Sequence, residues 1–128
     1  MRKFTASRVR SFGHALEGWG YVLRSQRNIW VEMFIAALVL VTAAWLRLGT
    51  LEWVAILLTT AIVFAAEFFN TAIEVMVDLA SPKEHVLAKR AKDVSAAAVL
   101  LTAIAATFIG MLILGPALLV RIQTLISR

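Results

Sequence analysis

The chain has 128 residues, is 61% apolar and carries a formal net charge of +5, with a mean hydropathy of +0.84. That length holds one domain, taken here as 1–128, and that hydropathy excludes an ordinary water-soluble globule, because the remaining polar residues are too few to cover the apolar ones. The charge does not indicate a nucleic-acid partner, since it gathers at the chain's start and in one central loop, and the lack of cysteine excludes disulfides and thiolate metal sites.

Residues 1–28 carry Arg8, Arg10, Glu17, Arg24 and Arg27 and offer no unbroken apolar core before a small-residue cleavage site, so they do not read as a removable signal. Phe4, Val9, Phe12, Leu16, Trp19 and Leu23 recur every three to five residues between the arginines. This predicts an amphipathic helix that lies in the membrane interface or packs on the protein itself. Residues 29–47 form the first predicted span, with Glu32 as the one charge between Ile29 and Leu46. Residues 53–80 form the second, charged only at Glu67 and Glu74 between Trp53 and Val77, and residues 93–120 the third, uncharged from Ser95 to Val120. Each is long enough to cross a hydrocarbon core of roughly 30 Å at about 1.5 Å per helical residue. Gly49-Thr50 and Ser81-Pro82 mark the breaks, and Trp30, Trp45 and Trp53 sit near span ends, where amphipathic rings are expected.

The expected fold is therefore an all-α membrane protein, one surface helix followed by three transmembrane helices. Six of the thirteen lysines and arginines precede Asn28, and Lys83, Lys89, Arg90 and Lys92 lie between the second and third spans. The excess of positive charge places the N-terminus and the Ser81 to Lys92 loop in the cytoplasm, with the Arg47 to Glu52 turn and the C-terminus outside.

A carboxylate inside a bilayer is costly and needs a reason. At about 100° per residue, Glu67, Asn70, Glu74 and Asp78 fall within about 80° of arc, with Thr71 at its edge. Asn70 or Thr71 alone would serve as glue between helices. Two glutamates and an aspartate repel one another and call for a cation, and oxygen ligands without thiolates point to Mg²⁺. Glu74 and Asp78 approach the lysine-rich loop. Carboxylates for Mg²⁺ beside lysines for phosphate is the arrangement phosphoryl transfer requires, with a nucleotide as the economical donor. Neither soluble phosphate-binding glycine loop is present. Glu67, one to two turns deeper than Glu74, sits where a hydroxyl near the interface can reach it, as a general base must. The rival from another class is a proton-coupled transporter, with Glu67 and Glu74 as relay carboxylates; it has no use for the lysine-rich loop.

Some residues carry plainer readings of equal weight. Asp93 can cap the third helix, and Lys92 can anchor at the interface. His85 can simply be solvated. Ser95-Ala96-Ala97-Ala98 gives a small-residue surface for close helix approach. Glu32 can face the acidic helix or extend to the interface.

The run Glu67-Phe68-Phe69-Asn70-Thr71-Ala72-Ile73-Glu74, then Asp78, Ala88-Lys89-Arg90-Ala91-Lys92-Asp93 and Ala96-Ala97-Ala98-Val99-Leu100, closely resembles the bacterial diacylglycerol kinase and undecaprenol kinase family. Ser11-Phe12, Ala15 and Gly18 resemble its N-terminal pattern, so the likeness runs from about Phe12 to the end of the third span. The resemblance implies a homotrimeric, multi-pass lipid kinase of the bacterial inner membrane with active sites between neighbouring subunits. It would transfer the γ-phosphate of Mg-ATP to undecaprenol or diacylglycerol; Ala15 and Asn70-Thr71 lean toward undecaprenol. Position by position, Glu67 matches the general base, Glu74 a metal-binding glutamate and Asn70 its polar neighbour. Lys92 and Asp93 match the pair that contacts nucleotide, and His85 a loop position near it. Where the family commonly has a second metal-binding glutamate, this chain has Gln26. Three arrangements stay open: Gln26 ligates through its amide oxygen, Glu32 compensates, or Glu74 and the ATP phosphates hold the metal.

Overall fold

Backbone N–H and C=O groups find no water in a bilayer, so a chain this apolar must satisfy them within its own helices. The computed structural model describes residues 2–83 and 85–127, with side chains described from residue 10 onward. Among them the chain forms four helices and no strand: α1 (Arg2–Ser25), α2 (Asn28–Leu46), α3 (Thr50–Ala80) and α4 (Val86–Ile126). α2, α3 and α4 are each long and apolar enough to cross a membrane. The expected architecture of one N-terminal helix and three spans is what the chain adopts.

Within α1, Phe12, Leu16 and Trp19 are exposed, and Val22 is buried. Phe4 and Val9 of the expected apolar stripe, like Arg128 of the tail, lie outside the described side chains. The helix breaks at Gln26 and Arg27, with no side-chain cap on α2. Tertiary contacts hold the bend instead. Trp30 Nε1 donates to the Leu23 carbonyl at 2.9 Å, and the Trp19 and Phe68 rings meet at 4.7 Å between centroids.

α2 ends where Arg47 adopts the left-handed conformation, φ 56°. The Arg47 N–H then reaches the Ala44 carbonyl and the Leu48 N–H the Ala43 carbonyl, the paired bonds that close a helix C-terminus. The turn to α3 is thus only Arg47, Leu48 and Gly49. Arg121 of α4 lies 5.7 Å from the Trp45 ring centroid, a cation–π contact tying the same end of the molecule together.

The third helix starts earlier than its apolar run. The hydropathy pattern runs the preceding loop to Lys92, but α4 begins at Val86 because His85 caps it, Nδ1 accepting from the Leu87 N–H at 3.2 Å. Lys89, Arg90, Lys92 and Asp93 therefore stand on a helix, and Asp93, well inside it, does not cap. At about 1.5 Å per residue α4 is about 60 Å long, roughly twice the hydrocarbon thickness.

α3 packs mainly on α4, while α2 touches both. The interior is unusual in composition. Glu67, Asn70, Thr71 and Ser95 are buried, alongside Val22, Ile29, Ala43 and Ile56. Most large apolar side chains of α2, α3 and α4 face outward, as lipid as the outer solvent allows. Further along, the three spans leave an apolar cleft of about 330 Å³ between them, with Glu32 at its edge among Ile35, Val63 and Phe64.

Candidate active site

The acidic stripe of α3 faces α4 and the α1–α2 bend. Glu67, with 1% of its surface exposed, is the most enclosed carboxylate among the described residues. Glu74, one face-repeat further on, is half-buried. Its two oxygens accept from two amides: Asn70 Nδ2 to Oε1 at 3.1 Å and Gln26 Nε2 to Oε2 at 2.8 Å. The bend between α1 and α2 is thus what brings Gln26, 48 residues away in sequence, onto the acidic helix. Asn70 is held from its other side, where Ser95 Oγ donates to Oδ1 at 2.7 Å.

Not every polar residue of the stripe joins this network. Thr71 Oγ1 donates to the Glu67 carbonyl of its own helix at 2.9 Å, which satisfies its hydroxyl locally. Asp78 is exposed and accepts from Lys92 Nζ, bridging α3 and α4 one turn beyond Glu74. Lys92 thus pairs with a carboxylate across the two helices. Asp93 accepts from Lys89 Nζ at 2.8 Å, both side chains well exposed. Such a pair contributes little stability but fixes two charges beside the site. His85 has its Nδ1 occupied as the helix cap.

Of the two candidate partners for Glu74, it is Gln26 that touches it. Glu32 faces the acidic helix elsewhere: its carboxylate lies within electrostatic reach of Glu67. Among the described residues its Oε2 is buried without a hydrogen-bond partner. No three His, Cys, Asp or Glu side chains converge to hold an ion among the described residues. One carboxylate flanked by two amides is not an all-protein metal cage. It does fit Mg²⁺ carried in with phosphates, since that ion keeps waters and uses one or two carboxylates plus substrate oxygens.

Ser95 enters the site although its sequence context reads only as a small-residue surface. The available signal is that it is the one hydroxyl in the run from Val94 to Leu101, three residues after Lys92. Trp19, whose ring meets that of Phe68 at a tilt of 59°, is likewise readable only as part of an apolar stripe.

Residues 13–114 match the prokaryotic diacylglycerol kinase family. The chain belongs to that family. Among its relatives, an undecaprenol kinase of Bacillus subtilis (strain 168) is 40% identical over 109 residues, covering 85% of this chain and 89% of the relative. A diacylglycerol kinase of Synechocystis sp. is 41% identical over 110 residues, 85% of this chain but 63% of the relative. A diacylglycerol kinase of Escherichia coli (strain K12) is 31% identical over 108 residues, covering 79% and 88%. As a family member the chain is a lipid kinase, which does not favour the proton-coupled transporter.

Proposed function

We propose that the chain transfers the γ-phosphoryl group of Mg-ATP to the hydroxyl of a membrane lipid alcohol, undecaprenol or diacylglycerol, giving undecaprenyl phosphate or phosphatidic acid. One observation carries this reading. An enclosed glutamate, Glu67, lies about 10 Å along α3 from a second glutamate, Glu74, that two amides grip, with Lys92 one turn beyond. A site that must deprotonate a lipid hydroxyl and neutralise phosphates needs those two chemistries side by side.

In the reaction, the lipid hydroxyl oxygen bonds to the γ-phosphorus as the bond from that phosphorus to the β–γ bridging oxygen breaks. The hydroxyl proton passes to the Glu67 carboxylate, and ADP leaves with the bridging oxygen. Enclosure of Glu67 favours a hydroxyl delivered from lipid over bulk water and so limits wasteful hydrolysis. When bound, Mg²⁺ neutralises phosphate charge in the transition state. Glu74 would hold it, with Gln26 the amide in place to help. Lys92, freed from Asp78, and Asp93 would contact the nucleotide, with His85 at its edge. The working unit is taken as a homotrimer in the bacterial plasma membrane, with the N-terminus and the α3–α4 turn cytoplasmic and the C-terminus outside; the clustering of lysines and arginines supports that orientation.

The test is phosphorylation of undecaprenol and of diacylglycerol, side by side, by purified protein in mixed micelles with labelled ATP. Labelled lipid is expected, with undecaprenol the preferred acceptor, and Glu67→Gln should cut the rate about 100- to 10,000-fold. If Glu67→Gln keeps most of the lipid-dependent rate, Glu67 is not the base. ATP-independent movement of substrate into vesicles would favour the transporter instead.

A further inference from the structure

We infer that Ser95 is a positioning residue, a swivel that keeps the Asn70 amide satisfied in either of its two orientations. This deepens the phosphoryl-transfer reading and rests on it.

Ser95 is buried on α4, against α3. Its Oγ lies 2.7 Å from Asn70 Oδ1 and 2.9 Å from the carbonyl of Lys92 on its own helix. A hydroxyl has one proton and two lone pairs, so only one of these acceptors receives the proton at a time. When the proton points at Asn70, the amide oxygen is held by Ser95 and the amide N–H₂ faces Glu74, the arrangement seen at 3.1 Å. When it points at the Lys92 carbonyl, Ser95 Oγ becomes an acceptor. Asn70 can then reverse, giving its N–H₂ to Ser95 and turning its oxygen to the Glu74 side.

Both states leave no buried polar atom of Asn70 facing α4 without a partner, and buried amides require that. The first state suits Glu74 alone, because a carboxylate oxygen wants a donor. The second suits Glu74 beside a cation, because an amide oxygen then points at positive charge and no N–H does. An alanine at 95 supplies neither a donor nor an acceptor, so the inner atom of Asn70 loses its partner in both states and the amide is no longer held. The second acceptor is what makes the swivel: without the Lys92 carbonyl in reach, turning the hydroxyl from Asn70 would leave its proton unbonded.

The direct test measures divalent-ion binding without turnover. Mn²⁺, followed by electron paramagnetic resonance, is titrated into full-length protein in detergent with a non-hydrolysable ATP analogue. Ser95→Ala is expected to weaken Mn²⁺ binding about 10-fold, the loss usual for a residue that orients a metal ligand, while Ser95→Thr, which keeps the hydroxyl, stays within about 3-fold of the parent. Asn70→Ala should weaken binding too, and adding Ser95→Ala to it should cost nothing more, because Ser95 acts through Asn70. In lipid phosphorylation the same variant should lower kcat and raise the Mg²⁺ concentration for half-maximal rate, leaving KM for the lipid unchanged. Mn²⁺ binding by Ser95→Ala equal to the parent's overturns the inference, and so does an equal loss in the Asn70→Ala background. Absence of lipid phosphorylation by the parent would instead overturn the reading of function, and the binding measurement judges Ser95 apart from it.

Discussion

The two halves of α3 use their polar side chains in opposite ways. In the first, Thr59 and Thr60 donate to the Ala55 and Ile56 carbonyls of their own helix, at 2.6 and 2.8 Å. In the second, Asn70, Glu74 and Asp78 reach off the helix, to Ser95, Gln26 and Lys92. A hydroxyl satisfied four residues back is neutral toward lipid and asks nothing of its neighbours. A longer polar side chain leaves its helix, orders the segments around it and creates a site. Thr71 shows that chemistry, not position, makes the difference: it sits among the site residues yet behaves like Thr59 and Thr60.

The sharpest way to break this contrast is Glu74→Gln. It removes the charge and leaves one acceptor oxygen, enough for Asn70 or Gln26 but not for both unless one of those amides turns over, and lipid phosphorylation should fall by at least about 100-fold, measured at saturating Mg²⁺. A rate near the parent's would show that the charge is not needed. Gln26→Glu tests the other end of the same contact. It sets two carboxylates together, so the apoprotein should lose stability in thermal unfolding, while the Mg²⁺ concentration for half-maximal activity should fall roughly 3- to 10-fold. No change in Mg²⁺ dependence would separate Gln26 from the ion. The smallest effect belongs to the first half of α3: Thr60→Val swaps a self-satisfied hydroxyl for a methyl and should shift stability in detergent by no more than about 0.5 kcal/mol. A larger loss would mean that Thr60 holds something besides its own helix.

Much of this was readable before any coordinates. The three spans follow from apolar runs whose length matches a bilayer, and the acidic face follows from residues three and four apart on one helix. The family motif over Glu67 to Glu74 then named the chemistry. Periodicity placed Asn70 and Thr71 in the same arc but could not say that one reaches outward and the other back; side-chain length and the nearness of a carbonyl decide that. The contacts Gln26 to Glu74 and Ser95 to Asn70 were not legible, because each joins segments far apart in sequence through a bend or a close approach. The start of α4 differs from the start of its apolar run for a related reason. Hydropathy marks where a helix enters lipid, whereas His85 sets where it begins, and the two differ by about two turns.

That unbroken early start has a mechanical result. Lys89, Lys92, Asp93 and Ser95 ride on the same rod as the lipid-facing stretch that follows, with no loop between to absorb a change. Tilting a helix is the cheapest response to a bilayer thicker or thinner than its apolar length. Any such tilt of α4 would move the lysines and the Asn70 contact as one body relative to Glu74, which ties the register of the proposed site to the thickness of the bilayer around it.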